Sequence, residues 1–349
     1  MNKFRSLFAR VNDLAAYSVQ EVAEGEIKLD AQENPYPIPQ DIRKKIDNEL
    51  TGAELNRYPD PQYVKLKELI SGYCGVGPEN ILLGNGSDEL IMSILIATAG
   101  GSGSVCAPTP TFAMYKILSQ LTGREFVEIP LEYDFSLPVT KIITLDPDLV
   151  FIAYPNNPTG NCFLKEKIKR LLEHSGSIVV VDEAYFEFAG KTFIDMINRY
   201  ENLIILRTFS KAFSLAGIRA GYMIGGRSLI KEMRKAQLPY NLSIINQKIL
   251  ETVLENRDRI LESVKTLTES RDKMYAELID IAGIKPFPSE ANYILMKIDN
   301  MGRVMKALKE NHIKVREFGS AVLKDYLRVT VGTEEENRSF IQTLKQALG

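Results

Sequence analysis

The 349-residue chain is poor in residues that build covalent or metal-held frameworks: it has three cysteines, Cys74, Cys106 and Cys162, and two histidines, His174 and His312. The cysteines are odd in number and widely spaced, and neither histidine lies near one, so they read as structural residues and no disulfide or metal is expected. An excess of one charge is also missing. Lys and Arg number 43 and Asp and Glu 45, a net charge of −2, which offers no basic field to nucleic acid or to an anionic membrane. The longest apolar runs, such as 91–99 and 178–181, fall far short of a bilayer span. The opening MNKFRSLFARVNDL alternates charged with apolar residues instead of forming a signal-peptide core, so a cytoplasmic location is expected. Nucleotide fingerprints are absent too: Gly-Gly-Ser-Gly at 100–103 precedes an apolar run instead of following one, and no Gly-Lys-Ser or Gly-Lys-Thr occurs. Small-molecule chemistry without nicotinamide or ATP is the class that survives.

What is present is the patterning of an ordinary globular protein, 45% hydrophobic and 25% charged, long enough for two cores. An arm is expected over 1–28, followed by the turn-rich LDAQENPYPIPQD. Helices are predicted at about 62–73 and from Ser87. Short apolar runs then alternate with helical segments: SVCAP (104–108), EFVEIP (125–130), LVFIAYP (149–155), SIVVVDEAY (177–185), NLIILRTFS (202–210) and AGYMIGG (220–226). Continuous β-branched runs alternating with helices predict an α/β domain over 29–260, a mostly parallel sheet flanked by helices. A helical connector at about 246–281 leads into a smaller α+β domain over 261–349. That domain reads strand (NYILMKI, 292–298), helix (301–311), strand (KVREF, 314–318), strand (YLRVTVG, 326–332) and helix (334–348).

In an open parallel sheet ligands sit beyond the C-terminal strand ends, so the residues after each run carry the chemistry. LVFIAY is followed by Pro155-Asn156-Asn157-Pro158, where an Asn amide is an aimable donor. SIVVV is followed by Asp182 with a phenol, Tyr185, three residues on. A carboxylate at a buried strand end needs a partner, which a pyridinium nitrogen would supply. LIILR is followed by Thr208, Ser210 and Lys211, then Arg219 in a glycine-containing loop, and hydroxyls with a guanidinium make a phosphate site. Gly84-Asn85-Gly86-Ser87-Asp88 opens a helix whose free N–H groups suit an anion. Phe112, after SVCAPTPT, offers a ring for stacking or for the core. Each feature alone has a bland reading as turn, cap or surface residue. Together they supply the groups that a phosphorylated pyridine aldehyde requires.

On YPNNPTG, VVVDEAYFEF, RTFSKAFSLAGIRAGY and YLRVTVGTEEE, the chain resembles the fold-type I aminotransferases that use pyridoxal 5′-phosphate, and among them the histidinol-phosphate aminotransferases. The resemblance runs from Leu29 onward. It implies that Lys211 is the Schiff-base lysine, that Asp182 faces the pyridine nitrogen, that Asn157 and Tyr185 donate to the ring hydroxyl, and that Phe112 stacks on the ring. It further implies phosphate contacts from Ser87, Asp88, Thr208, Ser210 and Arg219, and from Tyr58 of a second subunit in a homodimer. Tyr17, Asn34, Arg316 and Arg328 are the substrate residues it implies, with histidinol phosphate and 2-oxoglutarate (or glutamate) as substrates. Two positions depart from the usual pattern: Gln32 stands where Asn is usual, and Phe112 where Tyr is frequent. An aromatic amino acid aminotransferase and a threonine-phosphate decarboxylase share the cofactor site and remain alternatives. So does a non-catalytic cofactor-binding module, although no helix-turn-helix pattern is visible.

Overall fold

The computed structural model describes residues 8, 11, 25–100 and 103–349. Thirteen strands occur among them: β1 (Ile27–Lys28), β2 (Ile81–Gly84), β3 (Ser104–Thr109), β4 (Glu125–Pro130), β5 (Leu149–Ala153), β6 (Ile178–Asp182), β7 (Leu203–Thr208), β8 (Gly221–Gly225), β9 (Ile284–Pro286), β10 (Tyr293–Ile298), β11 (Ile313–Lys314), β12 (Arg316–Glu317) and β13 (Tyr326–Thr330). The main sheet has seven strands in the order β2-β8-β7-β6-β5-β3-β4. The five from β4 to β7 run parallel, while β8 is antiparallel to both β7 and β2.

Side-chain alternation explains why the parallel strands read as unbroken apolar runs. Val150, Ile152, Val179, Val181, Leu203 and Ile205 enter one core, while Leu149, Phe151, Ala153, Val180, Ile204 and Leu206 enter another on the opposite face. Both faces are covered by helices, so neither alternate set is polar. This is the expected α/β architecture with a mostly parallel sheet.

A separate antiparallel sheet, ordered β12-β13-β10-β9, packs Ile294, Met296, Leu327 and Val329 against Phe340 and Leu344 of helix Glu334–Leu348. That helix opens on a capping box in which Thr333 accepts from the Glu336 N–H and the Glu336 carboxylate accepts from the Thr333 N–H. Helix Arg257–Ile279 spans the two units: Ile260 and Leu267 belong to the first core, Met274 and Leu278 to the third.

Three expectations need adjustment. The connector is two helices, Ile244–Glu255 and Arg257–Ile279, divided at Asn256. KVREF is two short strands, because the chain changes partner around buried Val315: β11 pairs with β1 and β12 with β13. Ile27 and Lys28, placed in the arm, are a strand paired with β11. No helix among the described residues is long and apolar enough to cross a membrane.

Candidate active site

The lysine loop is built from β7 outward. At the strand end the Thr208 hydroxyl accepts from the Ser210 N–H at 3.1 Å and lies 3.0 Å from the Ser210 hydroxyl, a local turn that releases the chain from the sheet. Phe209 and Phe213 anchor it below, their rings 5.1 Å apart and fully buried. Lys211, between them, donates from Nζ to the Ala31 carbonyl at 2.8 Å and lies 5.9 Å from the centre of the Tyr185 ring. Burial pushes its ammonium down to about 7, the nearby Arg328 and Arg219 push the same way, and Glu33 opposes them. A substantial fraction of the side chain is therefore a neutral, nucleophilic amine near neutral pH.

Asp182 ends β6, alongside Ala153 at the end of β5. Its Oδ2 accepts from the Tyr115 hydroxyl at 2.7 Å and its Oδ1 from the Ala184 N–H at 3.1 Å. Burial raises the carboxyl to about 6, against the pull of those two donors. Tyr115 stacks on Phe151 at 4.8 Å and meets Phe112 edge-on at 5.5 Å, so one aromatic group both fixes the acid and presents Phe112.

The third part is a cradle at the start of helix Ser87–Ala97, whose first N–H groups receive no side-chain cap. Two glycines allow it. Gly221 opens β8 opposite Thr208, and a Cβ there would meet the Arg207 carbonyl at 2.9 Å and the Ser87 nitrogen at 3.0 Å. Gly86 has φ +83°, and a Cβ on it would lie 3.1 Å from Arg219 Nη2. Arg219 donates to the Ser210 hydroxyl at 3.3 Å and pairs with Asp88 at 3.4 Å. Asp88 Oδ1 is buried without a hydrogen-bond partner, and burial raises that carboxyl.

The fourth part lies where β13 meets the N-terminal segment. Buried Arg328 donates from Nη1 to Asn157 Oδ1 at 2.5 Å and from Nη2 to the Asp30 carbonyl at 2.7 Å. The first contact engages the oxygen end of the Asn157 amide and leaves Nδ2 as a donor. Arg316 stands directly opposite Arg328 in the antiparallel β12–β13 register. Burial lowers the Arg328 guanidinium, and the like charge of Arg316 contributes. Tyr185 is pushed up to about 12 by burial, while Arg328 and Gln32 pull it down.

Lys211, Asp182, Tyr185, Asn157, Phe112, Ser87, Asp88, Thr208, Ser210, Arg219 and Arg328 thus line the C-terminal strand ends and strand β13 of the second sheet. Other expected residues stand differently. Tyr58 is 81% exposed and stacks on Tyr240 at 4.5 Å. Asn34 uses its amide within the fold, donating to the Ala212 carbonyl at 3.2 Å and to Ser263 at 2.9 Å and accepting from the Tyr36 N–H at 3.0 Å. It tethers the N-terminal segment beside Lys211. Arg316 is exposed. Tyr17 lies outside the described residues. Sequence reasoning missed Tyr115, whose three-residue spacing from Phe112 on a helical turn was the available signal, and the backbone of Asp30 and Ala31, which has no sequence signature.

The family model for aminotransferase class I and II matches residues 24–344. The chain belongs to that family. Among its relatives, the histidinol-phosphate aminotransferase of Thermoanaerobacter sp. (strain X514) is 41% identical over 92% of this chain and 93% of its own. Histidinol-phosphate aminotransferase 1 of Carboxydothermus hydrogenoformans is 40% identical, with both chains fully covered. The crystal structure of the histidinol-phosphate aminotransferase from Clostridium acetobutylicum superposes with a TM-score of 0.83 at 27% identity, over 92% of this chain and 98% of that one.

As an aminotransferase the protein works with pyridoxal 5′-phosphate, and the residues present fit it. Asp182 is a buried carboxylate whose recorded partners are a phenol and an amide, which suits a ring cation. Glycines 86 and 221 open the uncapped helix start toward the hydroxyls and Arg219, which suits a phosphate.

Proposed function

We propose that this aminotransferase moves the amino group between L-histidinol phosphate and 2-oxoglutarate, giving imidazole acetol phosphate and L-glutamate, in histidine biosynthesis. The observation that carries the reading is Arg316 facing Arg328 beside Lys211. Like charges directly opposite across two strands destabilise the pair unless an anion lies between them. Histidinol phosphate brings a phosphate and glutamate a carboxylate, and one guanidinium pair serves each in turn. The names of the two relatives near 40% identity support the choice of substrate. They give no support to an aromatic amino acid aminotransferase or a threonine-phosphate decarboxylase.

In this reading bound pyridoxal phosphate supplies an aldehyde for the incoming amine and a ring that accepts electrons. Lys211, whose burial holds its amine largely neutral near pH 7, would hold that aldehyde and, when free of it, would serve as the base that moves the proton. Asp182 stays charged against the ring nitrogen, held by Tyr115. Asn157 Nδ2 and Tyr185 would donate to the ring hydroxyl, Phe112 would cover a ring face, and the N–H groups of Ser87 and Asp88 would hold the phosphate with Thr208, Ser210 and Arg219.

Tyr58 reaches a phosphate only from a second subunit, since in its own chain it lies exposed on Tyr240. Exposed Leu55, Val64, Leu238 and Ile245 accompany that pair in sequence, and such apolar surface suits burial in a homodimer. The domain division at 260, the cytoplasmic location and the substrate contact of Tyr17 belong to the same proposal, in which Asn34, its amide engaged with Ala212, Ser263 and Tyr36, serves to hold the N-terminal segment beside Lys211.

The test is a comparison of rates. The purified enzyme should form 2-oxoglutarate from glutamate fastest with imidazole acetol phosphate, slower with aromatic oxo acids, and should release no carbon dioxide from threonine phosphate. Dominant release of carbon dioxide would defeat the reading.

A further inference from the structure

Tyr293 is where the second sheet reaches into the first unit. It opens β10 opposite Thr330 of β13, yet its fully buried ring belongs to the core on one face of the main sheet, while the next residue, Ile294, enters the core of the second sheet. Burial holds its phenol well above the ordinary range, so the hydroxyl keeps its proton and acts as a donor. It donates to the Asn156 carbonyl at 2.8 Å. The ring meets Tyr185 edge-on with centres 5.1 Å apart, and the Arg328 guanidinium lies 5.4 Å from its centre. One side chain therefore adjoins Tyr185, Arg328 and the peptide group that leads into Asn157. Asn156 is the junction through which the hydroxyl acts. Fully buried, it donates from Nδ2 to the Pro110 carbonyl at 3.0 Å and to the Thr159 hydroxyl at 2.8 Å, and its Oδ1 accepts at 2.9 Å from the hydroxyl of Thr111, one residue before Phe112. Its carbonyl also accepts from the Gly160 N–H at 2.7 Å, which closes the turn over 156–160. That carbonyl shares a rigid peptide plane with the Asn157 nitrogen, so the direction in which it is pulled sets the angle at which Asn157 leaves the turn. The first unit holds one side of the turn, and the Tyr293 hydroxyl holds the other from the second sheet.

We propose that Tyr293 is a positioning residue for the cofactor's ring hydroxyl: its own hydroxyl, acting through the Asn156 carbonyl, holds the Asn157 amide in line with that oxygen. This rests on the reading of Asn157 as a donor to the ring hydroxyl. A donor draws negative charge from the ring oxygen, which then stabilises less well the protonated Schiff-base nitrogen beside it, and the pKa of that nitrogen falls. A misaligned Asn157 reverses the effect. The second sheet thus takes part in setting the protonation of the Schiff base on Lys211, although Tyr293 itself touches neither group.

Tyr293→Phe in the holoenzyme tests this, because it keeps the ring with its contacts to Tyr185 and Arg328 and leaves the Asn156 carbonyl its bond from Gly160. Titration of the Schiff-base absorbance should give a pKa roughly half a unit to one unit above that of the unaltered enzyme, a part of the shift expected for losing a whole hydrogen bond to a charged oxygen. Asn157→Ala, which removes the donor outright, should move the pKa further in the same direction. Adding Tyr293→Phe to Asn157→Ala should then move it no more, because the hydroxyl acts through that amide. An unmoved pKa in Tyr293→Phe, even with a lowered Tm, makes the hydroxyl merely structural and overturns the proposal, as does a full additional shift in the double variant. Asn157→Ala separates the two ideas. If it leaves the pKa unmoved, the reading of Asn157 and the role of Tyr293 both fall; if it moves the pKa while Tyr293→Phe does not, the role of Tyr293 alone falls.

Discussion

Tyr115 donates its hydroxyl proton to Asp182 Oδ2 across 2.7 Å, and both side chains are buried. Burial favours the neutral acid, which would lose its attraction for a ring cation, and the phenol counters that tendency. Tyr115→Phe should therefore raise the Asp182 pKa. The acid limb of kcat/KM should move up by about one pH unit, as expected for losing a hydrogen bond to a charged group. A pH–rate profile of the variant checks this, and an unmoved acid limb would show that the bond does not tune the carboxylate.

Lys211→Ala should lower turnover by more than about 10³-fold, since one amine serves as both cofactor tether and proton carrier. It should also abolish the absorbance band of the Schiff base between lysine and cofactor.

The lysine makes a second, opposite prediction for the cofactor-free protein. Its pKa is about 7 folded against 10.5 for the unperturbed group. Between those values the unfolded chain binds a proton that the folded chain lacks, so stability should rise with pH across that window. Lys211→Met should remove the rise, as read from urea midpoints at the two ends of the window.

Arg328→Ala should weaken both half-reactions by about 10²-fold or more, the cost of removing a buried charged partner. Single-turnover rates with histidinol phosphate and with 2-oxoglutarate would measure each half, and a loss confined to one would argue against a shared anion site.

Arg207 and Glu183 form an ion pair at 2.8 Å, with side chains 3% and 0% exposed, one residue along from Thr208 and Asp182 respectively. Arg207→Met leaves that carboxylate buried with Thr192 and the Phe193 N–H as its remaining donors, and should cost about 3–5 kcal/mol of stability, seen as a lower Tm. The double variant with Glu183→Gln should recover part of the loss.

The parallel strands were legible because Val, Ile and Leu on both faces leave one continuous signal: EFVEIP coincides with β4, and LVFIA with β5. Short strands were not. β2 is four residues, and β1 and β9 are two and three, too brief for any period to register. Within the site, Lys211, Asp182 and Arg219 were visible because charged residues at the ends of apolar strands are anomalous. The carbonyls of Asp30 and Ala31 were invisible because every residue carries one, and only tertiary placement makes these two special. Gln32 could be noticed as a departure, while its backbone bond to the Thr330 hydroxyl depends on a strand that forms nearly three hundred residues later.

That separation also orders the protein's synthesis. The contact between Asp30 and Arg328 spans 298 residues, whereas the proposed cofactor contacts within one chain lie between Ser87 and Arg219. Between Arg219 and Arg328 the ribosome must add 328 − 219 = 109 residues, roughly 5 to 20 s at ~5–20 residues per second. A nascent chain therefore carries the lysine and its acid well before Arg328 is added, yet the core around them also takes in Tyr293 and Val331, so the two halves of the site are completed together at the end of synthesis.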